Sequence, residues 1–259
     1  MKGETMSEMD AVYAEAPEGG VQVVYMNKPD KKNAIDARMM DLLDDVLAAA
    51  DRSDDVKVVV LRGAGSDFSS GGDLSQGDAG VPGPEGARIS LRRYLAVVRR
   101  MRTMSKPVIS MVDGYAVGGA FALCLASDLV CASERALFVP AFCQIGIIPE
   151  MGMMKLLPEI VGLHRAKELL FFGGKLSASV LYDWGVVNRV FPASDLEKET
   201  MAFARMLSDM PGPSIQITKN LMNSLADTDL EACLASEATA SPFCTTTRAY
   251  AETMAKFLR

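Results

Sequence analysis

The sequence has one histidine, one tryptophan and no CxxC pair. With a single imidazole, a histidine-rich metal site is excluded, and a Ser-His-Asp triad would have to use His164. That residue stands in VGLHRAKELL beside Arg165 and Lys167, where a helix is expected to begin, so it reads as a solvated helix-entry residue. The five cysteines, at 124, 131, 143, 233 and 244, are odd in number and lack metal-ligand spacing. They support neither a disulfide framework nor a zinc knuckle, and read as small hydrophobes in a reducing cytosol. Neither GxGxxG nor GxxxxGK[ST] occurs, since GAGSDF lacks the final glycine, so these nucleotide-binding loops are absent. No run reaches the roughly eighteen apolar residues that a membrane span needs. The first twenty residues contain no apolar signal core, and the closing AKFLR is no peroxisomal address. The expected location is cytoplasmic. A net charge of -6 argues against nucleic acid or an anionic membrane as partner, and leaves room for a local basic patch.

What is present is a globular composition: 49% hydrophobic and 23% charged residues in a chain of 259. Val21 to Asn27 and Val56 to Gly63 are apolar, β-branched runs that read as strands. The second lacks alternation, as expected when helices cover both faces of a sheet. Between them lies a basic turn, NKPDKKNA, and then a helix capped by Asp36, with Met39, Leu43, Val46, Leu47 and Ala50 on one face. A Gly/Pro/Ser-rich loop follows, then a basic amphipathic helix from about Arg88 to Met104 and a strand from Pro107 to Gly114. YAVGGAFALCLAS reads as a turn and a buried helix, and DLVCASE and ALFVPAF as strands. Repeated strand–turn–helix units indicate an α/β fold. From Met153 the pattern is mostly helical, and Ser194 with Glu197 and Thr228 with Glu231 fit capping boxes. Residues 1–194 are expected to form the core that carries the site, and 195–259 a C-terminal helical region.

Two glycine clusters lie just past strands, where α/β sheets bind ligands: Gly71-Gly72-Asp73, and Gly118-Gly119 at a helix start. Glycine there is either turn and packing chemistry or a way to expose main-chain N–H groups to a ligand. Two such groups aimed at one point would stabilise a carbonyl oxygen as it gains charge. In GIIPEMGMMKLLPEIVG a lone carboxylate, Glu150, follows a proline. By itself that pair reads as an ordinary helix start, with proline at the first position and an acid in the first turn.

Taken together, VVVLRGAGSDFSSGGDLS, KPVISMVDGYAVGGAFALCLASDLV and FVPAFCQIGIIPEMGMMKLLPEIVG resemble the enoyl-CoA hydratase/isomerase (crotonase) superfamily. The resemblance spans about Val21 to Phe191 and continues loosely beyond. It implies a spiral of ββα units with a C-terminal α-helical trimerisation region, and assembly as a homotrimer or as a hexamer made of two trimers. It implies an acyl-CoA thioester as ligand, with coenzyme A entering as part of the substrate and neither a separate cofactor nor a metal. By position, the N–H groups of Gly72 and Gly119 would hold the thioester oxygen. Asp73 and Leu74 belong to the loop shaping the site, with Asp73 read as a turn carboxylate. Ser70 falls beside the adenine. Lys31, with Lys28, Lys32 and Lys256, is a candidate for the CoA phosphates. The loop from Ser75 to Gly86 is expected to shape the acyl pocket.

The departures from the family pattern narrow the reaction. The two positions at which hydratases carry glutamates are Ala122 and Phe142, and neither side chain moves a proton. Phe142 is instead counted among the substrate-contacting residues. Glu150 matches the single glutamate of peroxisomal-type Δ3,Δ2-enoyl-CoA isomerases, among apolar neighbours Ile147, Ile148, Met151 and Met153 that would exclude water. The expected activity is a double-bond shift from 3-enoyl-CoA to 2-enoyl-CoA. The alternatives are decarboxylation, C–C hydrolysis or hydration of a CoA thioester, or acyl-CoA binding without catalysis. A dehalogenase reading lacks its histidine in the helix before the third strand.

Overall fold

The computed structural model describes residues 10–73, 83–225 and 228–258. A six-stranded sheet runs in the order β1-β2-β3-β4-β6-β9. Its strands are β1 (Val12–Ala14), β2 (Val21–Met26), β3 (Val58–Gly63), β4 (Val108–Val112), β6 (Leu129–Ser133) and β9 (Arg189–Phe191). All pairs are parallel except β1 against β2. The apolar runs are continuous because both faces are covered. Val59, Leu61, Val108 and Val112 pack with Met39, Leu43, Leu47, Val97 and Met101 of α1 (Ala37–Arg52) and α2 (Pro84–Thr103). The alternate residues Val58, Val60, Ile109 and Met111 pack on the opposite face with Leu196 and Ala204 of α7 (Leu196–Ser208). A strand with period two thus serves two cores.

A second sheet stands beside the first: β5 (Tyr115–Val117), β7 (Leu137–Val139) and β8 (Leu176–Ser177). The chain passes from β4 to β5 to α3 (Gly119–Ala126), then from β6 to β7 to α4 (Met153–Val161). That is the ββα spiral implied by the resemblance. β5 lies inside the segment expected to be only a turn, and α2 begins at Pro84, four residues before the expected Arg88, with proline at its first position. α5 (Leu163–Phe172) begins next to His164, which is exposed as expected. α6 (Ala178–Asp183) precedes β9.

The caps differ from the sequence pattern in two of three cases. Asp36 caps α1, accepting Met39 N–H at 2.8 Å. Ser194 does not cap α7, which starts after Asp195 without a side-chain cap. Thr228 does not cap α9 (Leu230–Thr245); its hydroxyl donates to Leu225 O, and Asp229 accepts Ala232 N–H at 2.8 Å. In both cases an aspartate follows the hydroxyl residue and the helix begins one position later.

α8 (Gly212–Ser224) is anchored by a buried lysine. Lys219 Nζ donates to Lys106 O at 2.9 Å and pairs with Asp128 Oδ2 at 2.8 Å. Burial pulls its ammonium below the usual lysine range, against the pull of Asp128. α9 buries no residue, and α10 (Arg248–Phe257) follows it. No helix among the described residues is long and apolar enough to cross a membrane.

Asp36 also pairs with Lys28. Burial alone would raise its carboxyl, but hydrogen bonds from Lys28 and Met39 N–H outweigh it and hold the group below the usual range. A depressed folded-state value means stabilisation that is complete above the unfolded carboxyl's pKa and lost as pH falls through the folded one. Asp36→Ala is expected to cost about 1–2 kcal/mol at pH 7. Urea titrations should show that cost shrinking once the pH drops below the ordinary aspartate range.

Candidate active site

The early turn positions everything downstream. Asn33, fully buried and left-handed at φ +55°, accepts Lys28 N–H and donates to Ala64 O at 2.9 Å and Asp67 O at 2.8 Å. It thereby fixes the chain leaving β3. That chain then runs as an extended segment between two partners. Ile35 N donates to Gly71 O, and Asp73 N to Ile35 O, both at 2.8 Å. On the other side Ser69 N donates to Tyr115 O at 2.8 Å, and Val117 N to Ser69 O at 3.1 Å. The approach to β5 is so close that a Cβ on Gly71 would lie 2.5 Å from Val117 O.

Ile35 engages residues 71 and 73 and skips 72. By strand alternation the Gly72 N–H faces away from Ile35, and no described residue accepts a hydrogen bond from it. A Cβ on Gly72 would meet nothing within 4 Å; the space beside it is the cleft. Gly118 then turns the chain from β5 into α3 at φ +53°, ψ −114°, a conformation that a Cβ disfavours. Gly119 is the first residue of α3, so its N–H has no partner within the helix and carries the positive end of the helix dipole. The two glycine clusters, far apart in sequence, line one cleft of about 410 Å³.

One wall of this cleft is a face of α2, with Ala87, Ser90, Leu91 and Tyr94. The other holds Phe142, Ile145, Ile147, Glu150 and Met151. Ser70 and Asp73 also line it. Lys31 stands outside the lining, at the rim, paired with Asp73 Oδ2 at 3.0 Å, and its carbonyl accepts the Ser70 hydroxyl at 3.2 Å. Leu74, and most of the loop from Ser75 to Gly86, lie outside the described residues. Ala122 is buried in α3, and Phe142 packs near Gly118, so the two hydratase positions bring no ionisable group. No cluster of three or more potential metal ligands occurs among the described residues.

The helix-start reading of Glu150 is overturned. α4 begins at Met153 and has no acid in its first turn. Glu150 instead opens a tight turn in which its carbonyl accepts Met153 N–H at 3.0 Å. Both central residues have positive φ, Met151 at +55° and Gly152 at +79°, as in a type I′ turn. A left-handed methionine costs about 1–2 kcal/mol. The turn leaves Glu150 half-buried on the cleft wall and Met151 2% exposed beneath it. Of the four apolar neighbours expected, Ile147 and Met151 line the cleft, Ile148 is exposed, and Met153 is buried in the core.

A larger cleft of about 500 Å³ lies between α8 and the far end of α3. Its charged pair, Lys219 and Asp128, is already satisfied internally, and neither glycine cluster reaches it. The smaller cleft is therefore the candidate. Sequence reasoning missed Asn33 and Tyr94, and read Met151 only as an apolar neighbour of Glu150. Only the α2 wall carried a readable signal, since Ala87, Leu91 and Tyr94 recur at helical spacing.

A ββα spiral with a cleft over two glycine turns is a crotonase-like architecture, and solved structures agree. An enoyl-CoA hydratase from Bacillus anthracis superposes with a TM-score of 0.91 at 26% identity, covering 96% of each chain. One from Polaromonas sp. JS666 gives 0.91 at 29% identity, covering 95% of this chain and 96% of that one. The Enoyl-CoA hydratase/isomerase family pattern matches residues 16–258, and the chain belongs to that family. Similar relatives include 4-chlorobenzoyl coenzyme A dehalogenase-2 of Arthrobacter sp, 34% identical over 83% of this chain and 78% of that protein. The 1,2-epoxyphenylacetyl-CoA isomerase of Escherichia coli K12 is 33% identical over 83% of this chain and 82% of its own length. The enoyl-CoA delta isomerase 2 of Rattus norvegicus is 35% identical over 90% of this chain and 58% of that protein.

The two glycines should respond differently to substitution. Gly71→Ala forces a Cβ onto the Val117 carbonyl and is expected to lower the melting temperature by several degrees. Gly72→Ala should leave stability within about 0.5 kcal/mol, because its Cβ enters open space, yet weaken ligand binding by filling that space. Thermal melts paired with ligand titrations check both.

Proposed function

We propose that the protein is an acyl-CoA enzyme that moves a double bond, converting a 3-enoyl-CoA to a 2-enoyl-CoA. The observation that carries this reading is the placement of Glu150 on the wall of the cleft that both glycine turns line. A thioester α-proton is weakly acidic, so its removal needs a base and stabilisation of the resulting enolate oxygen. Glu150 takes the proton from C2. The electron pair moves through C2 and the carbonyl onto oxygen, held by the N–H groups of Gly72 and Gly119. The dienolate then collapses as the same carboxyl returns the proton at C4. One carboxylate suffices because removal and return are successive acts of one group. Hydration would need a second group to activate water. The hydratase positions, Ala122 and Phe142, offer none, and the other carboxylate among the described residues lining the cleft, Asp73, is paired with Lys31.

Each oxyanion donor of this kind is worth about 3 kcal/mol in the transition state. Ser70 and Lys31 at the rim are assigned to the nucleotide end of CoA, with Lys28, Lys32 and Lys256 as further phosphate partners. The five free cysteines suit the reducing cytosol that we assign to the protein.

Glu150→Gln is expected to lower kcat for 3-enoyl-CoA isomerisation by about 10²–10⁴-fold with little change in KM. The double-bond shift can be followed by the absorbance of the conjugated 2-enoyl thioester, and hydration by the mass of added water. Equal turnover by wild type and variant would sink the isomerase reading, and rapid hydration of 2-enoyl-CoA would replace it with a hydratase.

We also propose assembly as a trimer or a hexamer. α9 buries nothing and exposes Leu230 and Leu234 on one side and Phe243 on the other, apolar side chains suited to contacts with other copies. Light scattering should give three or six times the chain mass of 27.8 kDa; a monomer at micromolar concentration would rule this out.

A further inference from the structure

The turn after Glu150 places a bulky residue where the acyl chain must start. Met151 lines the cleft, is 2% exposed, and is left-handed. Its thioether sits against Gly119: a Cβ on that glycine would lie 2.9 Å from Met151 Sδ. The neighbouring Gly118 is faced by Phe142, whose Cζ would lie 3.8 Å from a Cβ there. Successive glycines at the mouth of α3 are thus walled by two large side chains.

We infer that Met151 sets acyl specificity, excluding acyl groups branched at the carbon next to the thioester carbonyl. This rests on the acyl-CoA reading of the cleft, with the carbonyl oxygen held by Gly72 and Gly119. An oxygen in that position lies about 2.9 Å from each nitrogen. The α-carbon is two bonds from that oxygen, about 2.4 Å away. It therefore lies within about 5 Å of Gly119 N, against the side chain that packs on Gly119. An unbranched α-carbon fits between Met151 and Phe142. A methyl branch needs the volume the thioether fills. The left-handed backbone fixes where the Met151 side chain starts, and the side chain is enclosed by the core, so it has little freedom to withdraw.

The test is a binding comparison with saturated thioesters, which cannot isomerise. Butanoyl-CoA and 2-methylbutanoyl-CoA are titrated calorimetrically into wild type, Met151→Ala and Met151→Gly, with free CoA as a reference for the nucleotide end. Wild type is expected to prefer the straight chain by about tenfold or more, the scale of one methyl group misfitting an apolar pocket. Both variants should bring the two affinities within about threefold and leave free CoA binding unchanged. Both variants lose a buried side chain, which Met151→Gly offsets only in part by relieving the left-handed backbone, so a thermal melt verifies that each is folded at the titration temperature. Equal binding of both thioesters by wild type, or an unchanged preference in both variants, overturns the inference. Failure of butanoyl-CoA to bind wild type removes the acyl-CoA reading and this inference with it. A failed Glu150→Gln prediction removes only the isomerase assignment, because no proton transfer enters this measurement.

Discussion

The closeness of one extended segment to one short strand sets the geometry of the cleft. Residues 69–72 touch β5 through two main-chain hydrogen bonds, at a separation that admits no side chain on Gly71. That contact places Gly72 and Gly119 on one cleft although they are separated by α2 and β4. It is reinforced from outside. Tyr115 N donates to Asp67 Oδ1 at 3.0 Å, and Phe68 N to Asp113 O at 2.8 Å. Burial works to raise the Asp113 carboxyl, but Arg135 and Ser133 bind it and hold it below the usual carboxylate range. Charged side chains thus brace a junction made of neutral backbone. A junction of this kind is rigid because its main-chain groups have few other partners.

The large sheet supplies the foundation. Its central strands alternate between two cores, one under α1 and α2 and one under α7. Strand ends are thereby held to within a side chain's width, and the loops beyond them inherit that precision. α8 is held differently, by the buried Lys219 paired with the half-buried Asp128. A pair like this adds little net stability against an apolar replacement, but losing one partner leaves the other charged and buried.

Much of this was readable in the sequence, for identifiable reasons. β3 announced itself because a strand buried on both faces has no polar alternation to blur it. Asp36 was legible as a cap because its carboxylate meets an N–H three residues on. The glycine clusters were ambiguous singly and persuasive only as an ordered set. Ser194 and Thr228 misled because an aspartate one position later is where each helix begins. Glu150 was misread as part of a helix because proline and an acid look like a helix start. The feature that moves it off the helix is a left-handed Met151, and methionine carries no sequence signal for that conformation. Asn33 was hidden for the opposite reason: its effect lies mainly in two hydrogen bonds to distant backbone, at Ala64 O and Asp67 O, which no local pattern encodes.

Both N–H groups of the glycine turns belong to the main chain. No exchange of side chain can delete them while the fold persists, except by proline. The residues around them are another matter. The side chains at 142, 150 and 151 are set on that frame and line the cleft, while Ala122 is buried in the core. Relatives named for dehalogenation and for isomerisation stand at 33–35% identity to this chain. Main-chain packing fixes the frame, and the chemistry of the cleft is left to the few side chains set around it.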